Sequence, residues 1–346
     1  MAGEQRFFSS MLIIVILFIA SGCDWVGEKS AQTMAGDPLE LSSVDPQAMK
    51  QEDLGTRSQG VDWPTFLGPT GDGKSSETGI LTDWSGGKLR VVWQAKTGEG
   101  YGIGSVANGR YYHFGRIKGK ATLRCLHAET GQLLWEFAYE SDYQDMYGYD
   151  SGPRASPLIE DGRVYIYGVE GMLHCLDAIT GKEIWKLDTM ERFGVIQNFF
   201  GVASTPVVFE DLLIVMVGGS PVESQRVPVG ALNLVKPNGS GLIALDKKTG
   251  EFKYQVIDDL ASYSSLKLAN FSGAPMLLAW MRGSLHGIEP RTGESVFEFP
   301  WRSRKLESVS LGKPLAGGIF PESVYFILNV KSVSSVPIIG DTNSLT

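Results

Sequence analysis

The chain has little cysteine: Cys23, Cys125 and Cys175 are its only three in 346 residues, and no two of them form a Cys-x-x-Cys pair. That number is too small for a zinc cage or a disulfide framework, so cysteine does not organise the fold. Runs of lysine and arginine are missing as well, and the formal net charge is −8. Contact with a nucleic-acid backbone relies on a basic surface that displaces counterions, which argues against nucleic acid as a partner. No phosphate-cradling glycine loop, Ser/His/Asp order or pair of catalytic carboxylates stands out, so no catalytic residue is assigned. What the chain has in excess is glycine, 42 residues. With 43% hydrophobic and 20% charged residues, this describes a globular, turn-rich and therefore β-rich protein.

One apolar run stands out. It follows Arg6 and comprises Phe7-Phe8 and then Met11 to Ala20. It is too short for a comfortable membrane span and suits the apolar region of a secretory signal. It ends in Ala20-Ser21-Gly22-Cys23, which resembles the lipobox of bacterial lipoproteins. The resemblance implies that residues 1–22 are a signal peptide and that Cys23 carries a lipid, anchoring an exported chain to a bacterial membrane on its periplasmic side. Asp24 beside it resembles an inner-membrane retention signal. Residues 23–60 are polar and without helical or strand periodicity, and they read as a flexible tether of roughly 35 Å root-mean-square span. Trp63 to Pro69 marks the start of the folded part.

A repeat then organises the chain, and a repeat decides the fold before any local pattern does. Leu123 to Gly131 recurs as Leu173 to Gly181, Leu242 to Gly250 and Leu285 to Gly293. An aromatic follows each Thr-Gly at one offset: Trp135, Trp185, Tyr254 and Phe297. Each copy reads as a strand, a tight turn at Asp-x-x-Thr-Gly, and a second strand. In the turn the acid bonds backbone amides and the glycine adopts positive φ. A further strand pair precedes the copies, with turns at Asn108-Gly109, Glu160-Asp161-Gly162 and Glu210-Asp211. The expected fold is therefore all-β: a propeller of four-stranded antiparallel blades spanning residues 61–328, with neighbouring blades burying one another's faces. There are about four blades and a partial fifth at Lys313 to Gly318 and Glu322 to Ile327, after which no Asp-x-x-Thr-Gly turn follows. The expectation is an incomplete ring with an irregular tail at 329–346, as a truncated or frame-shifted gene would give.

Asp177, Thr180, Gly181 and Trp185 stand in a stretch that resembles the tryptophan-docking motif of PQQ-like (pyrrolo-quinoline quinone repeat) β-propellers. The copy with Thr130, Gly131 and Trp135 departs from it at His127, Gln132 and Leu133. The last two copies replace the tryptophan by Tyr254 and Phe297, and the last is degenerate. Together with the lipobox, the pattern is similar to BamB-type outer-membrane assembly lipoproteins. The resemblance implies a binding or assembly scaffold in the cell envelope whose propeller face takes a protein or a polymer ligand, without a cofactor. Relatives that are quinoprotein dehydrogenases, acting on alcohols or polyvinyl alcohol, imply instead PQQ with Ca²⁺ held beneath a disulfide of adjacent cysteines. No Cys-Cys pair exists here, and fold resemblance does not by itself carry function.

Loops that leave a blade's outer strand for the next blade's inner strand gather on one propeller face. They place Tyr101, Asp150, Arg154 and Asn198 as candidate ligand contacts around the axis. A second reading of the same residues is an Asp150–Arg154 pair that ties blades together while aromatics fill the joints. Of the four histidines His113, His127, His174 and His286, the last two share one repeat position in different blades, too far apart for a common metal. Cys125 and Cys175 share another repeat position, filled elsewhere by Ala244 and Gly287, and are expected to be free, buried thiols.

Overall fold

A computed structural model describes residues 60–79, 91–196, 200–228, 231–271 and 273–301. The signal, lipid-anchor and tether residues, including Cys23 and Asp24, lie outside the described residues, as do Asn198, the fifth hairpin and the tail. The described strands form four antiparallel sheets of four strands each, wound in chain order. The first holds β1 Ser105–Ala107, β2 Arg110–Ile117, β3 Lys120–His127 and β4 Leu133–Glu140. The second holds β5 Leu158–Glu160, β6 Arg163–Tyr167, β7 Met172–Asp177 and β8 Glu183–Asp188, which leads into the short helix α1 Thr189–Phe193. The third holds β9 Val207–Phe209, β10 Leu212–Met216, β11 Leu242–Asp246 and β12 Phe252–Val256. The fourth holds β13 Lys267–Phe271, β14 Ala274–Trp280, β15 Ser284–Ile288 and β16 Ser295–Pro300. These are propeller blades, and the described residues make an incomplete β-propeller of four.

The repeat is physical as well as textual. Asp177 Oδ1 accepts from the Ile179 and Thr180 amides at 3.1 and 2.7 Å and from the Thr180 hydroxyl at 2.7 Å. Asp246 and Glu289 do the same for Thr249 and Thr292. The glycine that ends the turn sits at φ +71° in Gly181 and +70° in Gly131, a left-handed conformation that side chains resist. In each blade the third strand shifts register against the fourth at one place: Cys125/Leu126, Cys175/Leu176, Ala244/Leu245 and Gly287/Ile288. This bulge bends every blade at the same point ahead of the turn.

A single sheet has two faces, and both are apolar here: all five residues of β6 are buried. The core therefore lies between blades. Tyr112, Phe114 and Leu123 of the first blade meet Val164, Ile166 and Leu176 of the second. Tyr165, Leu173 and Trp185 meet Leu213, Val215 and Ile243 of the third. Ile214, Met216 and Leu242 meet Leu266, Leu277 and Ala279 of the fourth.

The motif aromatics fasten these joints. Trp135 donates its ring N–H to the Ala178 carbonyl at 3.2 Å, Trp185 to Lys247 at 3.4 Å, and Tyr254 donates its hydroxyl to Pro290 at 2.6 Å. Each acceptor is the residue after the turn acid in the following blade. A Cβ on Gly181 would fall 2.5 Å from the Trp135 ring, so glycine is needed there for close approach as well as for φ. In the first two blades a tyrosine of the second strand reaches the same carbonyl: Tyr112 to Ala178 at 3.1 Å and Tyr165 to Lys247 at 2.8 Å. Trp93 repeats the pattern ahead of the first blade, donating to Ala128 at 2.9 Å with its ring over Gly131. It does the work of a preceding blade's motif aromatic, a role hidden from the sequence repeat because no Thr-Gly stands at the repeat offset before it, where Lys88-Leu89 is found.

Residues 63–71 run along the inner strands. Trp63 and Val106 exchange backbone hydrogen bonds at 2.9 and 2.8 Å, Ile159 donates to Pro64 at 2.8 Å, and Lys267 Nζ reaches the Gly71 carbonyl. A cavity of roughly 280 Å³ remains between this segment and β5, β9 and β13.

Cys125 and Cys175 are free and wholly buried. Burial pushes the Cys125 thiol up to about 12 and raises that of Cys175 further, so the reactive thiolate is scarce at neutral pH. Iodoacetamide at pH 7 is expected to leave both unmodified in the native protein and to label both after urea unfolding. Prompt native labelling of either, read by peptide mass spectrometry, would contradict this packing.

Candidate binding site

The connection from β4 to β5, residues 141–157, is organised by Asp145, whose side chain is completely buried. Its Oδ1 accepts from the backbone amides of Tyr147 and Tyr149 at 2.9 and 3.1 Å. Its Oδ2 takes Arg154 Nη2 at 3.1 Å and the Tyr143 hydroxyl at 3.4 Å. An acid that bonds amides two and four residues ahead folds its own loop, as Asp does in turns. Arg154 is buried too, and its second amino group donates to the Gly152 carbonyl. Its guanidinium lies 5.1 Å from the Tyr101 ring centre and 5.3 Å from that of Tyr143, so the cation is enclosed by two aromatic faces. Burial pushes the Tyr143 hydroxyl up to about 12, and it stays a neutral donor.

The expected Asp150–Arg154 pair does not form. Asp150 instead accepts from the Gly152 amide at 2.8 Å, closing a turn two residues ahead, while Arg154 reaches back nine residues to Asp145. The local bond is available to Asp150 without moving the chain, and Asp145 is the acid buried deeply enough to need a counter-charge. Tyr101 and Arg154 are brought together; Asn198 falls outside the described residues. Sequence reasoning passed over Asp145, although its signal was present: an acid followed by Met-Tyr-Gly-Tyr in the loop, the pattern of a side chain capping a turn.

Aromatics from successive connections continue the surface. Phe200, after β8, lies 5.9 Å from Tyr147 and 6.1 Å from Tyr149. It lies 5.4 Å from Tyr263, which precedes the fourth blade and whose hydroxyl accepts the Phe200 amide at 2.9 Å. Tyr101, Tyr147 and Tyr149 are 57, 57 and 61% exposed. Large aromatics held this open on ordered loops form a recognition surface more readily than a core. Its charged centre, by contrast, is buried: Arg154 pairs with Asp145 through Nη2, and the Arg154 Nε is left buried without a hydrogen-bond partner among the described residues.

Whether this face fits PQQ with Ca²⁺ follows from its donors. Among the described residues no three His, Cys, Asp or Glu side chains converge as a cation site, and the one buried acid of the loop is engaged by Arg154 and two amides. That donor set does not fit the group. His174 bonds Glu183 at 2.8 Å within its own blade, and His286 lies 3.7 Å from Asp259, so each histidine has a separate local partner.

The family profile described as outer membrane protein assembly factor BamB matches residues 78–219 and 119–313. The chain is 26% identical over 196 residues to the dehydrogenase subunit of a quinone alcohol dehydrogenase from Gluconobacter oxydans (strain 621H), covering 53% of this chain and 25% of that protein. It is 23% identical over 144 residues to quinohemoprotein alcohol dehydrogenase ADH-IIG of Pseudomonas putida, covering 40% and 19%. The chain thus spans a quarter or less of the curated relatives it matches. The solved BamB of Moraxella catarrhalis is 18% identical, with 60% of this chain and 50% of that one covered and a TM-score of 0.36.

Proposed function

We propose a function from the premise that this chain belongs to the PQQ-repeat family described as outer membrane protein assembly factor BamB: it is an exported, lipid-anchored binding scaffold of the cell envelope. The observation that carries the reading is the loop face, where exposed Tyr101 lies over Arg154 and exposed Tyr147 and Tyr149 are tied by their amides to its partner Asp145. The motif residues Thr130, Gly131 and Trp135, and Asp177, Thr180, Gly181 and Trp185, serve turns and joints and are not available for chemistry. Lipidation of Cys23 and a periplasmic, inner-membrane position through Asp24 complete the proposal. No helix of the described residues is long and apolar enough to cross a membrane.

The matches to two quinone-linked alcohol dehydrogenases favour a second reading, a PQQ-dependent dehydrogenase. One experiment separates the two. The protein is titrated with PQQ and Ca²⁺ by absorbance and assayed for dye-linked oxidation of alcohols and polyvinyl alcohol. The scaffold reading expects neither saturable binding nor turnover, whereas saturation with turnover would replace it by the enzyme.

A further inference from the structure

We propose that the loop face binds a linear, uncharged polysaccharide, stacked on the ring faces of Tyr101, Tyr147 and Tyr149. This rests on the reading of that face as a binding surface and names its ligand. Three observations on the molecule choose the class.

The first is arrangement. The aromatics come from successive connections: Tyr101 before the first blade, Tyr147 and Tyr149 between the first and second, Phe200 between the second and third, Tyr263 between the third and fourth. Beneath the exposed rings, buried Arg154 joins Tyr101 to buried Tyr143, and Tyr143 lies against Gly201 beside Phe200, so one packed layer underlies these connections. A row of rings delivered one connection after another suits a repeating polymer better than a compact molecule.

The second is charge. The cation at the centre of the face is Arg154, whose side chain is 8% exposed and already bonded to Asp145 and the Gly152 carbonyl. Polar side chains on the rim of this loop include Asp142, Gln144 and Asp150, all of which accept hydrogen bonds, and the two carboxylates repel anions. Acceptors beside aromatic faces suit hydroxyl-bearing pyranose rings, whose C–H faces stack on the π-cloud. An anionic polymer would meet the carboxylates of Asp142 and Asp150, while Arg154 is already paired with Asp145.

The third is rigidity. Asp145 fixes the backbone at both Tyr147 and Tyr149 through their amides, so the segment that carries the two rings is ordered before a ligand arrives, which lowers the ordering cost of binding.

The test is native gel electrophoresis of the full chain through hydroxyethyl cellulose, galactomannan or dextran, with alginate as an anionic counterpart. Retardation is expected in at least one neutral polymer and not in alginate. Tyr147→Ala and Tyr149→Ala should each weaken it about tenfold, the scale of one aromatic contact, while Tyr147→Phe should retain it because the ring and not the hydroxyl does the stacking. Unchanged melting of the alanine variants keeps the result from being a folding defect. No retardation in any neutral polymer overturns the proposal, as does equal retardation of Tyr147→Ala. Capture of an envelope protein lost in Tyr147→Ala, with no polysaccharide retardation, would overturn the ligand class and leave the scaffold standing. Loss of both would remove the scaffold reading as well.

Discussion

Trp185→Ala is expected to cost about 3–5 kcal/mol, the range for truncating a buried tryptophan. The side chain is 1% exposed, packs beside Tyr165 with ring centres 6.1 Å apart, and bonds the Lys247 carbonyl of the following blade. Removing it opens a cavity at the joint between the second and third blades, whose shared core holds Leu213 and Val215. That joint cannot collapse easily, because Tyr165 and the Lys247–Asp161 ion pair at 2.6 Å span it as well. Urea unfolding followed by fluorescence measures the loss, and a midpoint equal to that of the unaltered protein would refute the docking role. Trp135, which is only half-buried, should cost less when truncated; the two variants therefore grade the effect by burial.

Asp145→Ala is expected to cost a similar 3–5 kcal/mol by a different route. The substitution strands the Arg154 guanidinium in a buried site without its counter-charge, and removal of one partner of a buried pair is among the more damaging single changes. It also leaves the Tyr147 and Tyr149 amides without their acceptor, so the loop that presents the exposed tyrosines loses its brace. The double variant Asp145→Ala/Arg154→Met should recover part of the stability, because no unpaired charge then remains. Thermal melting of the single and double variants decides it. A single variant as stable as the parent, or a double variant no better than the single, would show that the pair does not organise the loop.

The order of these two sites in the sequence record differs. Trp185 was visible, since Asp177, Thr180, Gly181 and the tryptophan recur at fixed offsets, and a recurring offset in a repeat marks a structural element. Asp145 was not, because its loop has no repeat copy that marks one acid, and among Glu140, Asp142, Asp145 and Asp150 the sequence reading singled out Asp150. Which of them pairs with Arg154 depends on where the loop turns, and that is set by amides and by the packing of Tyr101 and Tyr143 from other parts of the chain. Asp150 lies nearer to Arg154 in sequence, yet its bond to Gly152 satisfies it locally.

Sequence alone determined the all-β class, the four-stranded blade, the Asp-x-x-Thr-Gly turn and the place of the joint aromatics, because the turn is closed by bonds within three residues and the aromatic recurs at one offset from it in all four copies. The free state of Cys125 and Cys175 was legible for the same reason: equivalent repeat positions occupy different blades, and a position shared with Ala244 and Gly287 must be small and buried. Tertiary structure alone decided that Trp93 completes the first joint from outside the repeat, and that residues 63–71 line the inner strands. It also decided that Asp145 rather than Asp150 holds Arg154, and that Tyr147 and Tyr149 come to lie beside Phe200 from the next connection. Apart from Asp145–Arg154, nine residues apart, these contacts join segments tens of residues apart, and no local propensity or period encodes them. They follow from the way successive blades bring their connecting loops to one face.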